Sequence, residues 1–131
     1  MRKIKFCGID ISTKEKIYSE SIKFDEKSNG EKICWLRDKF YNWIEINLES
    51  VRQFIGAYDC NGVEVYESDI VEFEGEHKFI VKWDDNENRF VMFRLDGKKS
   101  PVQFHGEGYK KLKVVGNIFD NVEWLNQGDV N

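Results

Sequence analysis

Residues 51–71, VRQFIGAYDCNGVEVYESDIV, restrict the fold more than any other stretch of the chain. Gly56 and the Asn61-Gly62 pair mark turns, because glycine and asparagine tolerate backbone angles that most residues avoid. Around them stand Phe54, Ile55, Val63, Val65 and Tyr66, the aromatic and β-branched types that suit a packed pleated surface. The segment predicts short strands joined by tight turns. It holds no nucleophile, metal cluster or phosphate loop.

The rest of the second half continues the pattern. Strands are predicted over 52–56, 70–74, 78–84, 89–95 and 112–117, with a polar loop at 59–62 and turns at Gly75-Glu76, 84–88 and Asp96-Gly97. A further loop runs through Pro101 and His105 to Gly108, and residues 118–125 close with a short helical turn. Several short strands at regular spacing favour a compact barrel or roll. The first half is less regular. Residues 4–10 and 17–24 suit a hairpin around 12–16, and Asn29-Gly30 marks another turn. Over 31–46, Ile33, Leu36, Phe40, Trp43 and Ile44 recur at helical spacing, yet Trp35, Tyr41 and Ile46 break that face. The sequence leaves helix and strand both open there.

With 131 residues the chain fits one domain or two very small ones, and 15% aromatic content supplies bulk for a core. The expected division is 1–50, a β region with a variable segment, and 51–131. No run approaches the roughly 18 apolar residues of a membrane helix, and the opening MRKIKFCGIDIS lacks the apolar run of a secretory signal. A soluble intracellular protein without a membrane partner is expected. Cys7, Cys34 and Cys60 are odd in number, widely spaced and without a C-x-x-C pair. Reduced thiols packed as small hydrophobes are expected, rather than zinc ligands or disulfides.

The net charge of −4 is distributed in blocks. Residues 51–88 carry 3 Lys and Arg against 10 Asp and Glu, and residues 89–113 carry 7 against 2. Such blocks can steer a charged partner or complement a neighbouring subunit. We favour the simpler reading, that neighbouring strands of one sheet pair these charges.

Three blocks of sequence carry a family resemblance. The chain opens Met1-Arg2-Lys3-Ile4-Lys5-Phe6. Its centre presents Gln53, Phe54, Gly56, Asp59, Asn61, Gly62, Tyr66, Glu67, Asp69, Ile70 and Val71, and its end reads Val114-Val115-Gly116-Asn117-Ile118-Phe119-Asp120-Asn121. In this order the blocks resemble the YopX family of small proteins encoded by bacteriophages and prophages. Ile55, Cys60 and Ser68 depart from the usual threonine, lysine and glycine. Cys7-Gly8-Ile9 replaces basic and aromatic residues common after the opening block, and residues 25–48 show no family pattern. Ser68 matters most physically, since a positive φ there costs serine what it does not cost glycine. The resemblance implies a mainly β protein, α+β at most. Its C-terminal part would be a small SH3-like barrel, with an N-terminal hairpin-containing region packed on it. It also implies self-association in the host cytoplasm, and it names no activity. Gln53, Phe54, Gly56, Asn61, Gly62, Tyr66, Asp69, Gly116 and Asn117 are read as structural motif residues.

Candidate chemistry is sparse. Asp84-Asp85-Asn86-Glu87-Asn88 opens like a calcium loop, but Arg89 and Leu95 stand where that loop needs glycine and a bidentate glutamate. A polar hairpin turn is the better account. The acidic run from Glu64 to Glu76 could pair carboxylates for metal-dependent hydrolysis, yet its alternation with Val71 and Phe73 suits a solvated strand face. His77 and His105 share no motif. No catalytic residue, cofactor or metal is assigned. A basic-aromatic set, Arg94, Lys98, Lys99, Tyr109, Lys110, Lys111 and Lys113, offers contact to nucleic acid or another partner. A sequence pI near 5.3 weighs against phosphate-driven affinity. Ten phenylalanines, five tyrosines and four tryptophans exceed what one small barrel hides, and Trp35, Tyr41, Trp43 and Trp124 stand where a partner or neighbouring subunit could cover them. A non-catalytic, self-associating interaction module is therefore the favoured reading. A weak nucleic-acid-binding accessory factor is the alternative, and a hydrolase ranks behind both.

Overall fold

The computed structural model describes residues 3–75, 77–95 and 106–119. Eleven strands and two 3-10 turns make up the described elements, so the mainly β expectation holds. The chain divides into two compact units, Met1–Phe54 and Ile55–Asn131. The dividing point lies inside a strand.

The first unit begins with β1 (Phe6–Ile9) and β2 (Lys16–Ser19), paired antiparallel from Phe6↔Ser19 to Ile9↔Lys16. Asp10 shapes the turn between them. Its Oδ1 accepts the backbone N–H of Ser12 at 2.8 Å and of Thr13 at 3.4 Å, and its C=O accepts Lys14 N–H at 2.9 Å. The Ser12 N–H above all holds the Asp10 carboxyl below its ordinary range, against the opposing effect of burial.

Next come β3 (Ile22–Glu26), β4 (Lys32–Arg37) and β5 (Trp43–Ile46), a three-stranded antiparallel sheet in the order β3-β4-β5. The run expected over 17–24 is thus two strands. Ser19 breaks it by donating its hydroxyl to Ser21 C=O and accepting Ser21 N–H, both at 3.0 Å. Asn29-Gly30 does form a turn, with Gly30 at φ +88°. The ambiguity over 31–46 resolves to strand. Cys34, Leu36 and Ile46 are buried while Trp35 and Arg37 alternate away from them, a period of two rather than 3.6. Asp38 ends β4, because its Oδ1 accepts the N–H of Phe40 and of Asn42, each at 2.9 Å. A 3-10 turn at Leu48–Ser50 leads into β6 (Arg52–Tyr58), which pairs with β1 at Phe6↔Gln53 and Cys7↔Arg52. Ser50 Oγ accepts Ile9 N–H at 2.8 Å and donates to Asn47 C=O at 2.6 Å, tying this turn to β1.

The second unit contains the end of β6, β7 (Glu64–Tyr66), β8 (Asp69–Phe73), β9 (His77–Asp84), β10 (Arg89–Arg94), a 3-10 turn at Gly106–Lys111 and β11 (Leu112–Asn117). Four strands form a sheet in the order β10-β9-β8-β11, and β6 neighbours β7 in another. Of the barrel or roll expected for the C-terminal half, the described residues show antiparallel sheets of which none closes into a barrel; β10 and β11 are the two ends of an open one. Residues 96–105 and 120–131 lie outside the description. With them lie the expected Asp96-Gly97 turn, most of the loop at 101–108 and nearly all of the helical closure at 118–125.

Both faces of the β8–β11 sheet bear apolar residues. Val71, Phe79, Val81, Met92, Leu112 and Tyr109 cluster with Val65. The alternate positions Ile70, Ile80 and Leu95 form a second cluster with Phe93, Val115 and Ile118. Full burial of a Val, Ile or Phe side chain is worth about 1.5–3 kcal/mol, so these rows supply most of the unit's gain against chain entropy. Consecutive in β11, Val114 packs on the first cluster and Val115 on the second, and a bulge between Val114 and Gly116 leaves Val115 without a cross-strand partner in β8. Among the described residues no helix is long and apolar enough to cross a membrane.

Two backbone positions are decisive. A Cβ on Gly8 would overlap Ile46 Cγ2, a buried side chain that cannot swing aside. Gly8→Ala is expected to cost about 1–3 kcal/mol, read as a lower urea midpoint at unchanged slope. Ser68 has φ +70°, held by Ser68 N–H to Val81 C=O at 2.7 Å and Ile118 N–H to Ser68 C=O at 3.2 Å. Ser68→Gly, which restores the family residue, should raise stability by up to about 1 kcal/mol, seen as a higher thermal midpoint.

Candidate binding surfaces

The family-motif residues sit in the framework. Phe54 and Tyr66 are buried, and the backbone at Gly56 has φ +86°. Tyr66 donates its hydroxyl to Glu64 Oε1 at 3.0 Å and its N–H to Asp69 Oδ2 at 2.8 Å. Gln53 is half-buried in β6, opposite Phe6. Asn117 is buried and its Oδ1 accepts Phe119 N–H at 2.9 Å, while Gly116 completes the β11 bulge.

Asp59 is the most heavily used of these side chains. Its Oδ1 accepts Asn61 N–H at 2.8 Å and Val63 N–H at 2.9 Å, closing the Asn61-Gly62 turn, where Gly62 has φ +78°. Its Oδ2 reaches across 55 residues to accept Val114 N–H at 2.9 Å. Cys60 N–H adds a bond to Leu112 C=O at 2.8 Å. The turn thereby covers the outer edge of β11, which would otherwise offer unpaired backbone groups.

The charge blocks meet within the β8–β11 sheet. Glu72 lies opposite Lys78 on one side and Lys113 on the other, with a 3.6 Å ion pair to Lys78. Phe73 packs on the core cluster while Glu72 is only half-buried. Glu74 lies in the turn, at φ +56°, followed by Gly75 at φ +73°. Asp84–Asn88 forms the β9–β10 connection: Arg89 pairs with Asp84, Asp84 Oδ1 accepts Asn86 N–H at 2.9 Å, and Arg89 Nη2 lies 3.5 Å from Glu87. Among the described residues no three His, Cys, Asp or Glu side chains gather as a metal site. His77 is exposed opposite Phe73, and His105 lies outside the described residues. Cys7 and Cys34 are buried thiols outside any disulfide, Cys34 with its pKa pushed up by burial. Cys60 instead is exposed on its turn.

The basic-aromatic set of the sequence is not one surface. Tyr109 belongs to the core, with 6% of its surface exposed, and burial pushes its phenol pKa up. Its ring is therefore not offered to a base. Lys110, Lys111 and Lys113 are exposed, Arg94 is half-buried, and Lys98 and Lys99 lie outside the described residues.

A denser aromatic surface lies in the segment without a family pattern. Within the first unit, the β3–β5 sheet turns Cys34, Leu36 and Ile46 inward and presents Lys23, Trp35, Arg37 and Trp43 on the opposite face. Lys23 is opposite Trp35, and Arg37 is opposite Trp43. Lys23 Nζ lies 5.6 Å from the Trp35 ring centre and 4.5 Å from that of Trp43. The Arg37 guanidinium lies 5.4 Å from Trp43 and 5.3 Å from Tyr41. Phe40 and Tyr41 stand at the hairpin tip, 69% and 76% exposed. In the same unit a concavity of about 410 Å³ is lined by Asp10, Lys14, Lys32, Glu45 and Glu49 among others. Sequence reasoning singled out Trp35, Tyr41 and Trp43 as rings a partner could cover, but not their alternation with Lys23 and Arg37, which depends on strand pairing that the 31–46 pattern does not settle.

Comparison with known proteins agrees with this description. The family profile described as YopX protein matches residues 5–126. The crystal structure of protein EF1440 from Enterococcus faecalis is similar at 19% identity, with a TM-score of 0.52. That similarity covers 95% of this chain and 99% of that one. It is a likeness of fold. Among curated proteins, none matches the chain.

Asp59→Ala leaves the Val114 N–H and two turn N–H groups without their acceptor. It should cost about 2–4 kcal/mol, measured by denaturant unfolding. Loss of protection at the Val114 amide in hydrogen exchange would locate the damage.

Proposed function

The chain belongs to the YopX family, and on that premise we propose that it is a non-catalytic interaction module of phage or prophage origin. In this reading it self-associates and works in the cytoplasm of the bacterial host. The observation that carries the proposal is the set of large aromatic side chains left exposed on both units, Trp43 and Tyr41 on one and Trp83 on the other. Exposed rings of this size are the usual anchors of protein contacts. The non-catalytic part is supported by the use of the carboxylates: Asp10, Asp38, Asp59 and Asp69 all accept backbone N–H groups.

The two surfaces differ in which partner they suit. A two-fold contact sets a patch against its own copy, so the patch must complement itself. Trp83 extends the row of Phe79 and Val81 beyond the core and packs edge-on against Phe90, with ring centres 5.1 Å apart. Its same-face neighbours in register, Val81 and Phe90, are apolar, so two copies can meet there without opposing like charges. On the β3–β5 face, by contrast, Lys23 and Arg37 would meet their own like charges. Copy-to-copy contact is therefore assigned to Trp83, and a different partner to the β3–β5 face.

Light scattering over a concentration series tests this. The protein should exceed monomer mass, and Trp83→Ala should weaken assembly by about tenfold or more while Trp43→Ala leaves it unchanged. A mass that stays monomeric at the highest concentration would overturn the reading.

A further inference from the structure

We propose that the outward face of the β3–β5 sheet binds a single-stranded polynucleotide. Its bases would stack on Trp35, Trp43 and Tyr41, and its phosphates would pair with Lys23 and Arg37. This rests on the assignment of that face to a partner other than a copy of the chain.

The arrangement of rings and cations is the first argument. Trp35, Lys23, Trp43, Arg37 and Tyr41 alternate along the face, each cation within 4.5–5.6 Å of two ring centres. A single strand presents the matching alternation, flat bases that stack on rings or on a guanidinium plane and phosphates that take a cation. The charges give the second. Among the described residues neither Lys23 nor Arg37 has an ion-pair partner, and each is held by rings alone save for Arg37 Nε, which donates to Tyr41 C=O at 3.2 Å. Such contacts are weak at an exposed site, so either cation can swing to a phosphate at little cost. Two acids share the face, Asp25 two residues from Lys23 and Glu45 opposite Trp35, but neither forms an ion pair with Lys23 or Arg37.

Backbone strain is the third argument. Tyr41 has φ +66°, a region that bulky side chains rarely occupy, and it is the most exposed large ring among the described residues. Neither the core nor the turn needs a tyrosine there, and strain kept at an exposed residue points to a contact outside the chain. Stacking and charge pairing are common to DNA and RNA, so both bind. A duplex, whose bases already stack on each other, does not bind comparably.

Fluorescence anisotropy with fluorescein-labelled oligothymidylate of about 15 nucleotides tests the proposal on the full chain. An oligouridylate and a duplex of equal length serve as comparisons. The single strands should bind, with affinity falling roughly tenfold from about 50 to about 200 mM salt, and the duplex should bind far more weakly. Trp43→Ala should weaken binding about tenfold or more. Lys23→Glu should do likewise, without removing a ring from the face. No binding at low salt overturns the proposal. So does binding that both variants leave unchanged, since the anion then sits elsewhere, as on Lys110–Lys113. Light scattering on the same samples separates the two readings. Trp83-dependent assembly without oligonucleotide binding leaves self-association standing and removes the polynucleotide; a monomer that binds and needs Trp43 does the reverse. Loss of assembly in Trp43→Ala would make this face a copy contact and also defeat the proposal.

Discussion

One carboxylate organises the second unit. Asp59 closes its own turn with one oxygen and anchors that turn to Val114 with the other. Strands of three to eight residues leave a large share of their backbone groups at sheet edges, where exposed N–H and C=O invite unwanted pairing. Asp59 and the Cys60 N–H answer this on β11 with a loop rather than another strand. With that edge covered, β11 can be the last strand of an open sheet, and no closed barrel is needed to satisfy it. The buried rows of Val71, Phe79, Val81 and Leu112 then pack against a fixed boundary.

Alternating hydrophobicity made the second half readable. Residues 112–117 were predicted as a strand and are β11, and the strands at 52–56, 70–74, 78–84 and 89–95 have counterparts within two residues at each end. β7, only three residues long, is too short to show a period and was missed. The barrel or roll rested on strand number and on the family resemblance, and strand number does not specify closure. Elsewhere local side-chain bonds overrode pattern. Ser19 split one apparent strand, and Asp38 ended another inside a helical-looking run. A serine or aspartate that captures nearby backbone groups competes with any regular element, and apolar spacing carries no record of that competition.

The candidate surfaces were less legible, because they arise from register. Tyr109 stands beside lysines in sequence and so looked like part of a basic-aromatic patch, yet its ring fills the core. Lys23 and Trp43 are 20 positions apart and meet only because β4 lies between their strands. The within-sheet pairing of charge blocks was more accessible. An acidic strand next to a basic one is a sequence-level pattern, and Glu72 opposite Lys113 and Arg89 beside Glu87 are its outcome.

The Asp59 turn also carries the exposed thiol of Cys60, whose own amide is fastened to Leu112. The other two thiols are enclosed. A thiol-reactive dye would thus attach at one position without any engineered residue. Riding on the clasp over β11, the dye would report in its emission whether that clasp is shut or sprung.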